Sequence, residues 1–468
     1  MVRLFKNILL TLSVALPLGV MAQGTTQWRD IHKVKRHETI FGIAHSYDLT
    51  IDEILDANPE MRQKGYELKK GDQIFIPYSK SSKASKTTST VSSVKSAKLS
   101  DNKRTIATSV PQGQKIVRVG IMLPLLDHSS EGTRMVEYYR GVRAALDTLG
   151  KEGIKTEVNL WNINKDSVTA KVLAHNPAIA NQDVIFGPLY TSQVHPLAEF
   201  CRKHNIRLVM PFSIDADDAV TNPNVFQIYQ SDSQLSGSSI GAFIERFGQT
   251  HRPIFVNCNN PSDGKSAFTS TLRETLQLRG IKYELTNLNT PLRDFSKHFS
   301  LTQPNVIILN SAAYKPLERI FEKMDSLKRL EPSLIISTFG YNEWFIYQPN
   351  LEHDYFKYNV HIPTTYYFSR TSDRVESFER DYKRRFGQNM NPDCLPRMAL
   401  LGYDETMFFV RGISKYGKAF VGSEKQNVGF KPLQSRLEFK RLGKGGYQNS
   451  NFQLIRFKTD GTLDSLTY

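Results

Sequence analysis

Cysteine is scarce in this chain: Cys201, Cys258 and Cys394 are the three in 468 residues. Three thiols close at most one disulfide, which excludes a small disulfide-stapled scaffold. There is no Cys-x-x-Cys pair and no Cys/His cluster with metal-ligand spacing, so no zinc site is legible. His195 and Glu199 stand one helical turn apart but lack a third ligand, and read as a surface pair. Beyond the first two dozen residues no run is apolar enough to span a membrane.

Catalytic signatures are equally thin. Gly237-Ser238-Ser239-Ile240-Gly241 has nucleophile-elbow spacing, but Ser231-Asp232-Ser233-Gln234 before it reads as a helix start, where an elbow needs a strand. Small packing residues in a helix are the better account. Asn259 to Ser266 ends as a phosphate loop does, yet Asn259 stands where the first glycine is required. No nucleophile–base–acid set is visible. The chain reads as non-enzymatic, without cofactor or metal.

What is present begins with Arg3 and Lys6, an apolar run from Ile8 to Val20, and the small-residue site Val20-Met21-Ala22. Residues 1–22 therefore read as an export signal, which places the mature protein in the periplasm or on the wall. The formal charge is +15. Between Ser79 and Ile116, eight cations (Lys80, Lys83, Lys86, Lys95, Lys98, Lys103, Arg104 and Lys115) face Asp101 alone, a net of +7. About half the excess thus sits in or next to a Ser/Thr/Lys-rich stretch, residues 79–114, that has too few apolar groups to fold. This is a solvated linker rather than a nucleic-acid footprint, with attraction to an anionic wall as its functional alternative.

Residues 32–78 form a compact β-α-α-β pattern. A short strand surrounds Val34, Thr39 caps a helix with Ile40, Ile43, Ala44 and Tyr47 on one face, and Thr50-Ile51-Asp52-Glu53 is a capping box. Asn58-Pro59 stops the second helix and Ile74-Phe75-Ile76-Pro77 returns as a strand. VKRHETIFGIAHSYDLTIDEILDANP followed by LKKGDQIFIP resembles the LysM family over its whole length, with His37 where the family has glycine. The resemblance implies binding of N-acetylglucosamine-containing glycan, here peptidoglycan. The groove would lie between Glu38, Thr39, Ile40 and Phe41 on one side and Asn58, Pro59, Glu60 and Met61 on the other.

From Lys115 onward, strands alternate with helices, which implies mostly parallel α/β sheets. The clearest unit is Asp183 to Ser213. Val184-Ile185-Phe186 ends at Gly187-Pro188, a helix follows Thr191 and Ser192 and stops at Asn205, and Ile206 to Met210 is a second buried strand. Such a βαβ unit places both strand ends on one sheet edge, where open α/β sheets bind ligands. The strands of residues 115–468 fall into two successive sets, which implies two lobes. VRVGIMLPL, DVIFGPLYTSQVHPLAEFCRKHNIRLVMPFS, NVFQIYQSDSQLSG and MALLGYDETMFFVRGI occur in the order and spacing of type I periplasmic binding proteins. Within that family they are most similar to branched-chain amino-acid receptors and, by analogy, to penicillin-binding-protein activators.

That resemblance implies two Rossmann-like lobes with parallel sheets, joined by three crossings near Tyr229–Ser233, Ile362–Phe368 and Leu433–Leu437. It implies a ligand cleft at Tyr190, Thr191, Ser192, Phe212, Ser213 and Tyr229, with Tyr341, Asn342 and Glu343 from the other lobe. Asp263 before Gly264 removes an aromatic that many receptors place there. The first reading is a wall-bound sensor or scaffold with a cell-wall synthase or other envelope protein as partner. The second is a transport receptor for an amino-acid-like ligand, and the third a hydrolase. As a coil, a 36-residue linker would span about 30–36 Å, and the lobes are expected to sample a shell around the wall module.

Overall fold

The computed structural model describes residues 28–63, 66–77, 116–127, 129–212, 217–260, 264–392, 394–426 and 429–467. The export-signal and linker expectations lie outside the described residues. In the first unit, β1 (Trp28–Lys33) and β2 (Gln73–Pro77) pair antiparallel around α1 (Ile40–Ser46) and α2 (Ile51–Ala57). The strand thus precedes Val34, whose N–H donates to the Asp72 carbonyl at 2.8 Å. Thr39 caps α1 through the Gly42 N–H, and Thr50 and Glu53 form the expected reciprocal capping box. Val34, Ile43, Ala44, Leu49, Ile54, Met61, Ile74 and Ile76 make its core.

Next come β3 (Val117–Leu123), α3 (Ser130–Lys151), β4 (Thr156–Asn162), α4 (Thr169–His175), β5 (Val184–Phe186), α5 (Val194–His204), β6 (Arg207–Met210), α6 (Asp218–Thr221) and β7 (Val225–Gln227). Their strands pair in parallel in the order β4-β3-β5-β6-β7. β5 and β6 are buried throughout, as strands covered on both faces must be. Asn205 ends α5 in the left-handed region, φ 55°, where asparagine is tolerated. These elements form lobe I.

Lobe II follows with α7 (Asp232–Phe247), β8 (Arg252–Asn257), α8 (Ser266–Leu278), β9 (Glu284–Asn287), α9 (Leu292–Ser296), β10 (Asn305–Leu309), α10 (Tyr314–Leu330), β11 (Ile336–Phe339), α11 (Trp344–Lys357) and β12 (Val360–Thr364). The parallel order is β9-β8-β10-β11-β12. Gly237 to Gly241 lies inside α7, a helix as read. The chain then returns to lobe I through α12 (Asp373–Phe386), α13 (Met398–Tyr416), β13 (Phe439–Arg441) and β14 (Tyr447–Asn449), the last pairing with β7. It ends in lobe II as β15 (Gln453–Phe457) and β16 (Leu463–Thr467).

Two expectations are corrected here. The third crossing is not Leu433–Leu437, because that segment feeds β13 on the lobe I sheet; the chain passes to lobe II at 450–452, between β14 and β15. His195 does not pair with Glu199. Its Nδ1 lies 2.9 Å from Asp218, while Glu199 bonds Arg202.

The β1–β2 module is not held away from the lobes. β1 pairs antiparallel with β4 at Trp28 and Leu160, extending the lobe I sheet to nine strands in the order β13-β14-β7-β6-β5-β3-β4-β1-β2. Ile31, Ala57 and Phe75 turn away from the module's own core and are buried in that of lobe I.

α13 packs along α3 at close range. A Cβ on Gly141 would meet the Ala399 carbonyl, and one on Gly402 the Tyr138 carbonyl, so both positions demand glycine. Between these helices the Tyr138 hydroxyl donates to Glu405 at 2.5 Å. Burial raises Glu405 from its ordinary 4.5 to about 8, and Asp404 from 3.8 to about 7 although three backbone N–H groups oppose the rise. The folded chain therefore retains protons that the unfolded chain has lost. Stability should fall as pH rises from the ordinary carboxylate range through about 7 to 8. Glu405→Gln should flatten that slope in thermal melts, and an unchanged slope would contradict the assignment.

Candidate functional site

Two places answer to the expected sites. In the β1–β2 module, His37 takes a left-handed φ of 67°, which explains why glycine suits this turn. Burial alone would raise the Glu38 pKa. The Lys35 N–H at 2.7 Å and the His32 ring at 2.8 Å outweigh it and hold the carboxylate below its ordinary value. Thr39 is engaged as the α1 cap. Asn58 is fully buried: its amide donates to the Ile54 and Phe75 carbonyls and accepts from the Phe75 N–H, so it ties α2 to β2. Met61 is core, and Ile40 packs on the same cluster, which brings the two loops together. Pro59 and Glu60 lie in the short turn Pro59–Arg62. Phe41 is a large aromatic side chain 67% exposed at the start of α1.

The module thus separates a supporting set, Glu38, Thr39, Asn58 and Met61, from an exposed aromatic able to meet a sugar face. Asn58→Ala should cost about 1–3 kcal/mol of module stability, because it orphans buried backbone groups of Phe75. Phe41→Ala should leave stability within about 0.5 kcal/mol, as exposed positions do. Denaturant melts of the two variants check this.

The second place is the edge where strands of both lobes end. On lobe I, the Tyr190 hydroxyl donates to Glu131 at 3.0 Å; burial, then Glu131, push its pKa up to about 12. Thr191 and Ser192 are exposed in a short 3-10 turn ahead of α5, and neither hydroxyl caps the helix. Phe212 packs edge-on against Tyr138 with ring centroids 5.1 Å apart. Ser213 lies outside the described residues. The Tyr229 carbonyl, in the first crossing, accepts from Gln448 at 2.9 Å, and burial drives its hydroxyl pKa upward.

On lobe II, Tyr341 is buried and donates to the Leu309 carbonyl. Asn342 accepts from the Thr364 hydroxyl at 2.9 Å. Glu343 is exposed but ion-paired with Lys265 at 2.6 Å, and the Lys265 ammonium sits 5.0 Å above the Tyr341 ring. Sequence reasoning missed Lys265, although it closed the rejected phosphate-loop match. It also missed Arg134, which faces Tyr229 and the Cys394 thiol from α3, and Tyr366, which approaches Tyr229 from the second crossing. Helix periodicity marks Arg134 only as a polar-face residue, so no local signal singled it out.

The LysM domain family matches residues 32–77. No curated protein matches the chain by sequence. Among solved structures, a protein described as a candidate branched-chain amino acid ABC transporter from Rhodospirillum rubrum aligns over 76% of this chain and 100% of its own. Identity is 13% and the TM-score 0.51. Full-length LpoA from Haemophilus influenzae aligns over 76% of this chain and 60% of its own, with 11% identity and a TM-score of 0.47. The chain therefore combines a LysM domain with a two-lobed fold of the type I periplasmic-binding-protein kind.

Proposed function

We propose that this protein is a non-catalytic, exported component of the cell envelope. It holds peptidoglycan through residues 32–77 and presents its two lobes as a sensor or scaffold, with a cell-wall synthase or another envelope protein as partner. The LysM match carries this reading. The exposed Phe41, beside Glu38 and Asn58 whose side chains are spent on backbone groups, supports a glycan-facing surface.

The transport alternative needs an acid on lobe II to meet a ligand ammonium. Glu343, the residue placed for that role, is neutralised by Lys265 within its own lobe, and this favours the scaffold reading. With Glu343 answered by Lys265, lobe II offers a balanced pair and no net acid for a ligand ammonium.

The full chain should co-sediment with purified sacculi, and Phe41→Ala should reduce the bound fraction severalfold; failure of the native chain to sediment would overturn the reading. A panel of amino acids should leave the melting temperature unchanged. One that binds by calorimetry, and binds about tenfold more weakly to Glu343→Gln, would restore the transport reading, since a charge-assisted hydrogen bond is worth roughly 1.5–3 kcal/mol.

A further inference from the structure

Three kinds of contact hold the wall module on lobe I. The first is backbone pairing of β1 with the free edge of β4, which leaves β2 as the new outer strand. The second is apolar. On β2, Ile74 and Ile76 face the module's core, while Phe75 between them points the other way. Ile31 on β1 and Ala57 at the end of α2 join Phe75, and all three are buried against lobe I. A two-stranded ribbon with one helical layer cannot cover that second face by itself. The third is polar: the Lys33 ammonium donates to Gln388 at 3.2 Å just beyond α12, and Asp30 stabilises the charge of Arg385, which also pairs with Asp147.

Chain geometry agrees with docking in cis. β2 runs parallel to β3 and lies three strand positions away, about 14 Å laterally. The chain must also return along one strand length, about 23 Å for seven residues, so the gap from Pro77 to Val117 is roughly 27 Å. Residues 78–116, at up to about 3.3 Å each, are more than long enough to bridge that gap within one chain.

We propose that the free edge of β4 is the docking surface for this chain's own wall module, so that module and lobe I move as one body. The sides bearing Thr39 and Phe41 stay exposed in the docked state. The wall module and lobe I then form one body, to which lobe II is joined through the crossings. The docking stands on geometry alone; only the statement that this body is wall-bound rests on the glycan reading.

Spin labels on the full chain test it, at Arg36→Cys in the module, Lys171→Cys in lobe I and Gln277→Cys in lobe II, all exposed positions, with the native cysteines buried. The Arg36–Lys171 distance should be single and narrow, and unchanged by added sacculus fragments. A distribution tens of ångströms wide, as a free coil of this length gives, overturns the proposal whether or not the chain binds sacculi. So does an intermolecular distance in singly labelled protein, which would show exchange between two copies. Ile31→Asp and Phe75→Asp should each broaden the distance while sacculus binding is kept. Should either unfold the module, Arg385→Glu keeps the question open to refutation: it leaves the module's core intact, sets a second acid against Asp30, and should broaden the distance too. A distance that stays narrow in all three variants overturns the assigned contacts.

Discussion

The hinge side of the molecule hangs on one buried carboxylate. Asp404, in the middle of α13, accepts the backbone N–H groups of Leu433, Gln434 and Ser435, each at 2.8 Å. Gln434 passes the constraint on: its carbonyl accepts the N–H of Tyr367 in the second crossing, and its side chain bonds the Arg397 N–H and carbonyl. One side chain therefore fixes the return segment against both a lobe I helix and a crossing. Burying such a group is costly unless its lone pairs are satisfied, and three backbone donors satisfy them. The arrangement also explains why β13 and β14 join lobe I before the chain passes over for the last time. The segment is already tied there.

Much of this fold was legible because it rests on local pattern. Val184-Ile185-Phe186 and Leu208-Val209-Met210 are apolar on both faces, which is what a central parallel strand requires, and the βαβ unit between them folds as read. The capping box at Thr50 and the stop at Asn205 are single-residue signals and both appear in the structure. The misplaced third crossing has a different origin. The family resemblance places a crossing near Leu433 to Leu437, and what holds this segment on lobe I is Asp404, some thirty residues away in sequence. His195 likewise found Asp218 on the neighbouring helix α6, a partner that no helical spacing can indicate.

The sites were less legible than the elements that carry them, for a common reason. Residue type announces hydrogen-bonding capacity but not where that capacity is spent. Asn58 and Glu38 have the chemistry of glycan ligands and spend it on backbone groups inside the module. Glu343 has the chemistry of an ammonium partner, and Lys265 lies against it. An exposed ion pair of this kind adds little stability, about 0–1 kcal/mol, so fold stability gives little reason for it. On the proposed reading its effect falls on the lobe II side of the strand edge, which presents a balanced pair rather than a net acid.

The docked module shows how a signal can be present in the sequence and still go unread. Ile74-Phe75-Ile76 carries apolar side chains on both faces of one strand, although α1 and α2 can cover only one face. An isolated module would leave a phenylalanine and an isoleucine in water, at roughly 1.5–3 kcal/mol each. A linker rich in lysine and serine points toward independence, and composition alone favours a tethered module. The alternation of β2 argues the opposite, and it is the stronger argument because burial of apolar surface has a definite sign, whereas that composition permits docking as readily as separation. What the linker adds is reach: its length fits the return path from β2 to β3, so the same stretch that could hold the module away allows it to complete the lobe I sheet.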